Sequence, residues 1–410
     1  MDKTISFIQP SRNNLKYLKW SYDSIRKHLG YRHEICMADD FSNDGTWDWM
    51  QEISKKDPNV KIHRNEGPTR LGHTILYDTL INDYATNDIV MIYHADMYAL
   101  PNFDTEVLKL IEPGVVVSGT RIEPPLHPKG PEKIIQDFGI EPEEFKEQEL
   151  LDWFDKYEVN PTGYYEEYTE GVFAPWAIYK EDFQKIGGHD PLFAPQSKED
   201  SDIFNRLMLN GVEFKQTWGG LVYHMTCRGS RFADGAKRNP DGQVFMKNRE
   251  TDEWLAQNVR STRNFIRKWG TMVEHDNYLK PIITPVYNIG FELEESCEIN
   301  LLRELEPWCS YITIPDEELI KKYIELEQSN TDYKLDKRIG SVVPKNPTYD
   351  ILVKFNPNHM TQQSLQIISQ LSKIIQDSGE EGARFQLDIF DIWIEQMVEH
   401  QEDNIVCDSN

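Results

Sequence analysis

Cysteine is sparse in this sequence: five thiols, at positions 36, 227, 297, 309 and 407, stand far apart with no C-x-x-C pair. That spacing gives neither a disulfide framework nor a structural zinc site, and points to reduced, mostly buried thiols. Long apolar runs are missing too. No stretch reaches the roughly 18 residues needed to cross a bilayer, so no membrane span is expected. The opening MDKTISFIQPSRNN lacks the charged and then apolar sections of a secretory leader, from which a cytoplasmic location is expected. Positive charge is in short supply: 44 Lys and Arg against 69 Asp and Glu leave a net charge of −25. Such a surface suits neither duplex nucleic acid nor an anionic membrane, although a small anion can still bind in a locally basic cleft.

What is present is enough for a large core: 39% of the residues are hydrophobic and 11% aromatic. Single cores stop growing before 410 residues, so two domains are expected, 1–275 and 276–410. In the first, strand-like runs alternate with helical patterns: 4–13, a helix near 14–29, 33–42, a short helix after Gly45, 60–67, a helix over 72–84, then 88–96. That alternation predicts an α/β fold with a mostly parallel sheet covered on both faces. The acidic, aromatic, proline-punctuated stretch 121–170 interrupts the pattern, as a substrate lid or as a solvated surface excursion. Beyond residue 275, YDILVKF (349–355), a helical stretch near 360–378 and RFQLDIFDIWIEQ (384–396) predict a C-terminal α+β module. Its role is open between docking an acceptor, self-association and covering an edge of the catalytic sheet.

Ligands of parallel sheets bind where the strands end. The expected strands end in Pro10-Ser11-Arg12, in Asp39-Asp40, in Arg64-Asn65, and in His94-Ala95-Asp96. Asp40 can accept hydrogen bonds from a base edge, or belong to an ordinary Asx turn and helix cap. Gly67 and Gly72 before a helix allow backbone amides to approach a diphosphate, with Arg64 and Arg70 adding fixed positive charge. Asp96 suits a hard divalent ion shared with ligand phosphates. Further on, IGGHDPLFAPQSKEDSDIFNRLMLNG (186–211) places Glu199 and Asp200 at a helix start, with Asp202 and Arg206 behind them. A carboxylate projecting there can act as general base toward a hydroxyl. TWGGLVYHMTCRGSRF (217–232) ends a strand with His224, followed by Arg228 and Arg231, a late metal ligand and a clamp on phosphates. Trp176 and Trp218 offer flat faces to sugar rings, or sit in the core.

Taken in order, these pieces resemble the family 2 glycosyltransferases, over roughly residues 3–232. MADDFSNDGTWD (37–48) is similar to the family's nucleoside-binding D-D-x-S-x-D-G-T stretch, and Asn65-Glu66-Gly67 to its N-x-G segment. His94-Ala95-Asp96 falls on the D-x-D motif, with histidine replacing the first aspartate. Gly187-Gly188-His189-Asp190 with Glu199, Asp200, Asp202 and Arg206 resembles the family's G-G-F-D and E-D pattern.

The resemblance implies a GT-A fold, the Rossmann-like mostly parallel sheet of nucleotide-diphospho-sugar transferases. It implies an inverting hexosyltransferase, with a UDP-sugar donor favoured over a GDP-sugar and a glycan or other hydroxyl acceptor. By the same resemblance Asp200 is the base, with Glu199 and Asp202 helping to hold the acceptor. Pro10, Ser11, Arg12, Asp39, Asp40, Asn65, Gly67, Arg70, His94, Ala95, Arg228 and Arg231 face the donor. Asp96 and His224 bind a divalent metal, Mn2+ or Mg2+. Two alternatives share the fold: an inactive glycan-binding or scaffold protein, and a sugar-phosphate nucleotidylyltransferase. The second calls for a glycine-rich loop after strand one, and PSRNNLKYLKW contains no glycine.

Overall fold

The computed structural model describes residues 3–158, 169–225, 236–246, 251–342 and 349–407. Two compact units divide the chain: residues 1–255, 275–281 and 407–410 form one, and 256–274 with 282–406 form the other.

The first unit runs β1 (Ile5–Ser11), α1 (Leu15–His28), β2 (Glu34–Asp40), α2 (Thr46–Lys56), β3 (Val60–Asn65), α3 (Gly72–Thr79), β4 (Ile89–Ile92), β5 (Met97–Ala99), α4 (Phe103–Leu110) and β6 (Val115–Glu123). It continues with β7 (Lys133–Ile135), α5 (Glu147–Phe154), β8 (Trp176–Tyr179), α6 (Lys180–Lys185), α7 (Glu199–Leu209) and β9 (Glu213–His224), then a short pair, β10 (Ala236–Arg238) and β11 (Val244–Met246). The large sheet has the order β3-β2-β1-β4-β8-β6-β9-β5, with β7 beside β6. Pairs β1/β2, β2/β3, β1/β4, β6/β9 and β6/β7 are parallel, while β8 and β5 pair antiparallel. The expected α/β fold of GT-A type, with its mostly parallel sheet, is therefore present.

β2 is buried at every position and β4 is the apolar run IVMI, as strands covered on both faces must be. Their core residues join Leu18 and Ile25 of α1 in one apolar cluster. From β1 the chain moves outward to β2 and β3, then returns to lay β4 on the other side. That reversal of direction opens a crevice at the strand carboxyl ends. β4 stops at Ile92, earlier than the expected 88–96, so Tyr93 to Asp96 form a turn leading into β5. The described part of the 121–170 excursion is packed rather than solvated: Phe138 and Leu150 are buried with Tyr98, Leu221 and Tyr223 in an aromatic cluster.

The second unit holds most of α8 (Asp252–Trp269), then β12 (Ile289–Leu293), α9 (Ile299–Leu305), β13 (Tyr311–Thr313), α10 (Glu317–Glu327), α11 (Leu335–Arg338) and β14 (Ile339–Gly340). It ends with β15 (Ile351–Phe355), α12 (Gln362–Ser369), α13 (Leu371–Ser378) and the hairpin β16 (Arg384–Leu387) and β17 (Phe390–Ile394). Its sheet order is β14-β13-β12-β15-β17-β16, parallel through β15 and antiparallel beyond. Alternate residues Ile289, Phe291 and Leu293, with Ile351, Val353 and Phe355, face one apolar core.

Candidate active site

Register alone lines up the polar strand ends of the first unit. Ser11 lies opposite Asp39, Asp39 opposite Arg64, and Asp40 opposite Asn65. Ser11 and Arg12 carry buried polar atoms, Oγ and Nε, with no hydrogen-bond partner among the described residues. Arg64 Nε stands 3.5 Å from Asp39 Oδ2, and Arg70 Nη2 donates to Gln196 Oε1 at 2.9 Å. Asp39 is fully buried, and burial pushes its carboxyl up. Three arginines, two buried aspartates and unpaired donors thus line one mouth of a very acidic protein. Pro10, next to the end of β1, is half-buried.

Asp40 has a different task from reading a base. Its carboxylate accepts from the amides of Leu71 and Gly72 at 3.0 and 2.9 Å, and from Asn65 Nδ2 at 2.8 Å. It therefore caps α3, and the amides expected to approach a diphosphate are already taken. Gly72 is required there for another reason: at φ +79° a Cβ would lie 2.1 Å from Pro195 O. Gly67 donates its amide to Asn65 Oδ1 at 3.0 Å, closing the same loop.

On the next stretch of the crevice, His94, Asp96 and His224 bring ligand atoms within 4.8 Å of one another. The antiparallel pairing of β5 with β9 sets Met97 against His224, and Met225 donates its amide to Asp96 O at 3.1 Å. His224 Nδ1 hydrogen-bonds Glu123 Oε1 at 2.8 Å, while its buried Nε2 stands at ion-pair distance, 3.4 Å, from Asp96 Oδ1. Burial, then the charge of His224, pushes His94 down to about 3. It is a neutral imidazole with a free electron pair at physiological pH. Burial disfavours the charged form of His224, but Asp96 and Glu123 outweigh it and raise the imidazole. Two imidazoles and a carboxylate are a donor set that fits a divalent metal ion. Ala95, buried between the two outer ligands of the turn, contributes backbone only.

The opposite flank is the start of α7. Asp200 is open to solvent yet ringed by protein; that enclosure, together with the charge of Glu199, pushes its carboxyl up to about 6. Glu199 is buried and ion-paired with His73 of α3. Burial would push the Glu199 carboxyl up, but His73 outweighs it and holds it low; His73 is raised in turn. One turn along α3, Tyr77 stacks on His189 with ring centroids 5.7 Å apart. Its hydroxyl is raised well above the usual phenol range, by burial first and then by Asp200, Glu199 and Asp96. Tyr77 thus lies within electrostatic reach of Asp200, Glu199 and Asp96.

Two expected acceptor contacts lie elsewhere. Trp176 is 1% exposed in β8, edge-on to Phe204, and offers no face to a sugar ring. Asp202 is fully buried with Arg206 Nε 2.7 Å away, a helix-internal ion pair behind the catalytic face. Trp218 is half-buried in β9, its carbonyl accepting from Tyr157 Oη at 3.2 Å. Arg228 and Arg231 lie outside the described residues. Sequence reasoning missed His73, Tyr77, Arg121 and Glu123, which carry no motif and take their roles from register.

Residues 6–162 match the family model described as glycosyl transferase family 2, and 156–226 the one described as N-terminal domain of galactosyltransferase. Among solved structures, a mannosyltransferase from Pyrobaculum calidifontis in complex with GDP-Man and Mn2+ is 16% identical over 55% of this chain and 58% of its own, with a TM-score of 0.38. GalNAc-T7 with UDP, GalNAc and Mn2+ is 18% identical over 65% of this chain and 48% of its own, TM-score 0.44. TarS from S. aureus is 16% identical over 54% and 36%, TM-score 0.38. This chain therefore spans between about a third and three fifths of those structures' lengths. Among the described residues no helix is long and apolar enough to cross a membrane.

Proposed function

From the premise that residues 6–162 make the first unit a family 2 glycosyltransferase, we propose that it transfers a hexose from a nucleotide-diphosphate donor to an acceptor hydroxyl with inversion. In this reading His94, Asp96 and His224 face one hollow with Asp200, and what supports it is the ligand cluster itself together with Tyr77, which feels the charge of both Asp96 and Asp200. Ser11, Arg12, Asp39, Arg64 and Arg70 hold the donor's nucleoside and diphosphate, a UDP-sugar before a GDP-sugar. His94, Asp96 and His224 hold a divalent cation, Mn2+ before Mg2+, which when bound neutralises the charge that grows on the leaving diphosphate. His94 thus stands in for the missing carboxylate as a ligand rather than as a ribose contact.

Asp200 accepts the acceptor's proton as its oxygen bonds to the anomeric carbon and the bond to the diphosphate oxygen breaks. A carboxyl near 6 is ionised at neutral pH and still basic enough to take that proton. Attack opposite the leaving group inverts the centre, so an α-linked donor yields a β linkage. Location in the cytoplasm and self-association through the second unit belong to the same reading.

The test incubates the full chain with Mn2+ and UDP- and GDP-linked hexoses and follows nucleoside diphosphate release. Release that needs both metal and Asp200 supports the reading. No release and no nucleotide binding favours a scaffold, and pyrophosphate formed from a nucleoside triphosphate and a sugar phosphate favours a nucleotidylyltransferase.

A further inference from the structure

Glu123 is 1% exposed at the end of β6, more than a hundred positions in sequence from the imidazole it touches. A buried carboxylate costs several kcal/mol unless it is neutralised, so its neighbours identify its task. Lys133 Nζ lies 3.1 Å from Oε2 and Arg121 Nε 3.3 Å from Oε1, while Arg121 and Lys133 also face Glu132 at 3.0 and 3.5 Å. Two cations and two carboxylates already balance. A knot serving only to fasten β7 to β6 needs no further member.

Yet Glu123 Oε1 also accepts from Nδ1 of His224 at 2.8 Å. Register puts it there: β6 and β9 pair with Ile122 against Tyr223, which brings the next residues, Glu123 and His224, side by side. A neutral imidazole that donates from Nδ1 keeps its other electron pair on Nε2. Nε2 is the ring atom that faces Asp96, 3.4 Å from its Oδ1.

We propose that Glu123 is a positioning residue for the cation, holding His224 with Nε2 turned toward Asp96 and His94 and making that nitrogen a better ligand. Lys133 and Arg121 hold Glu123 in turn, so the parallel β6–β7 pair sets the metal affinity of a site it does not line. The inference rests on the metal reading given under Proposed function.

The test titrates the full-length chain with Mn2+, reading the free ion by electron paramagnetic resonance, in wild type, Glu123→Gln, His224→Ala and the double variant. Loss of an outer carboxylate costs about 10–100-fold in metal affinity, which is the drop expected for Glu123→Gln. Because Glu123 acts through His224, the double variant binds no more weakly than His224→Ala alone. Unchanged affinity in Glu123→Gln, or losses that multiply in the double variant, overturns the proposal. Should Glu123→Gln fail to fold, nitrogen NMR of wild type with Zn2+ as a diamagnetic probe decides: metal on Nε2 with hydrogen on Nδ1 upholds it, and metal on Nδ1 overturns it. If wild type takes no Mn2+, or Asp96→Ala binds as wild type does, the metal reading falls and this inference with it. Asp96-dependent binding that ignores Glu123 topples this inference alone.

Discussion

Glu306 in the second unit and Glu123 in the first are both buried carboxylates among basic side chains, but their surroundings are completed differently. Glu306 accepts from Arg267 Nε and Nη2 at 2.9 and 2.6 Å, from Arg338 Nε at 2.8 Å and from Tyr323 Oη at 2.9 Å. Arg267 reaches on to Glu327 at 3.1 Å, so the cluster closes on itself. Around Glu123 the chain of contacts runs outward, through His224 to Asp96 and the proposed cation site. Asp200, at the start of α7, is open to solvent with its carboxyl raised. A closed ion cluster fixes a fold; one that leads on to a group of potential metal ligands is, in this proposal, also arranged for a cation.

Substitutions separate the two kinds of cluster, beginning with the base. Asp200→Asn keeps the shape and removes the proton acceptor, so transfer falls by about 10²–10⁴-fold while nucleotide affinity, read by calorimetry, stays near wild type. In the closed cluster, Glu306→Ala strands Arg267 and Arg338 and costs about 3–5 kcal/mol, seen as lower resistance of the second unit to urea. Mn2+ affinity does not move in that variant. Equal damage to metal binding and stability from either substitution would erase the distinction between the clusters.

Acid sharpens the comparison further. Arg267 and Arg338 overcome burial and hold Glu306 down at about 2, below its ordinary 4.5. The unfolded chain therefore takes the proton first, and the stability from this group is present above about 4.5 and lost as pH falls toward 2, up to about 3 kcal/mol. Asp200 is shifted the other way. As the proposed base it works in its ionised form, so kcat/KM is expected to rise with pH through about 6 and then level. A pH profile flat from 5 to 7 would remove Asp200 as the base. The smallest effect belongs to the donor mouth: Arg12→Met removes one charged hydrogen-bond donor and weakens UDP binding about tenfold, by calorimetry.

Much of this arrangement is legible in the sequence because it obeys local rules. Strands that end in Ser11, Asp39 and Asn65 follow from alternating apolar runs and polar stops, and Asp96 and Asp200 stand where a strand-end turn and a helix start place them. Asp40 stays open between two readings in the sequence because a carboxylate at a strand end looks the same whether it awaits a ligand or caps the next helix; the closeness of Gly72 shows the cap. Trp176 stays open between a sugar platform and the core because nothing local says that β8 inserts antiparallel between β4 and β6, which turns its ring into the core. Glu123 and His73 were invisible for a related reason. Their partners, His224 and Glu199, lie 101 and 126 residues away, and strand register and helix packing bring them together without leaving any motif.

Crystals of the full chain grown with Mn2+ and UDP, with anomalous scattering recorded at the manganese edge, test the shared hollow most directly. The account predicts one manganese peak bounded by His94, Asp96 and His224, with the diphosphate between it and the Asp200 side of the crevice. A peak instead at Asp190, Asp202 and Cys407, whose potential ligand atoms also lie within 4.8 Å of one another, or a nucleotide bound away from residues 11, 39 and 96, would contradict it.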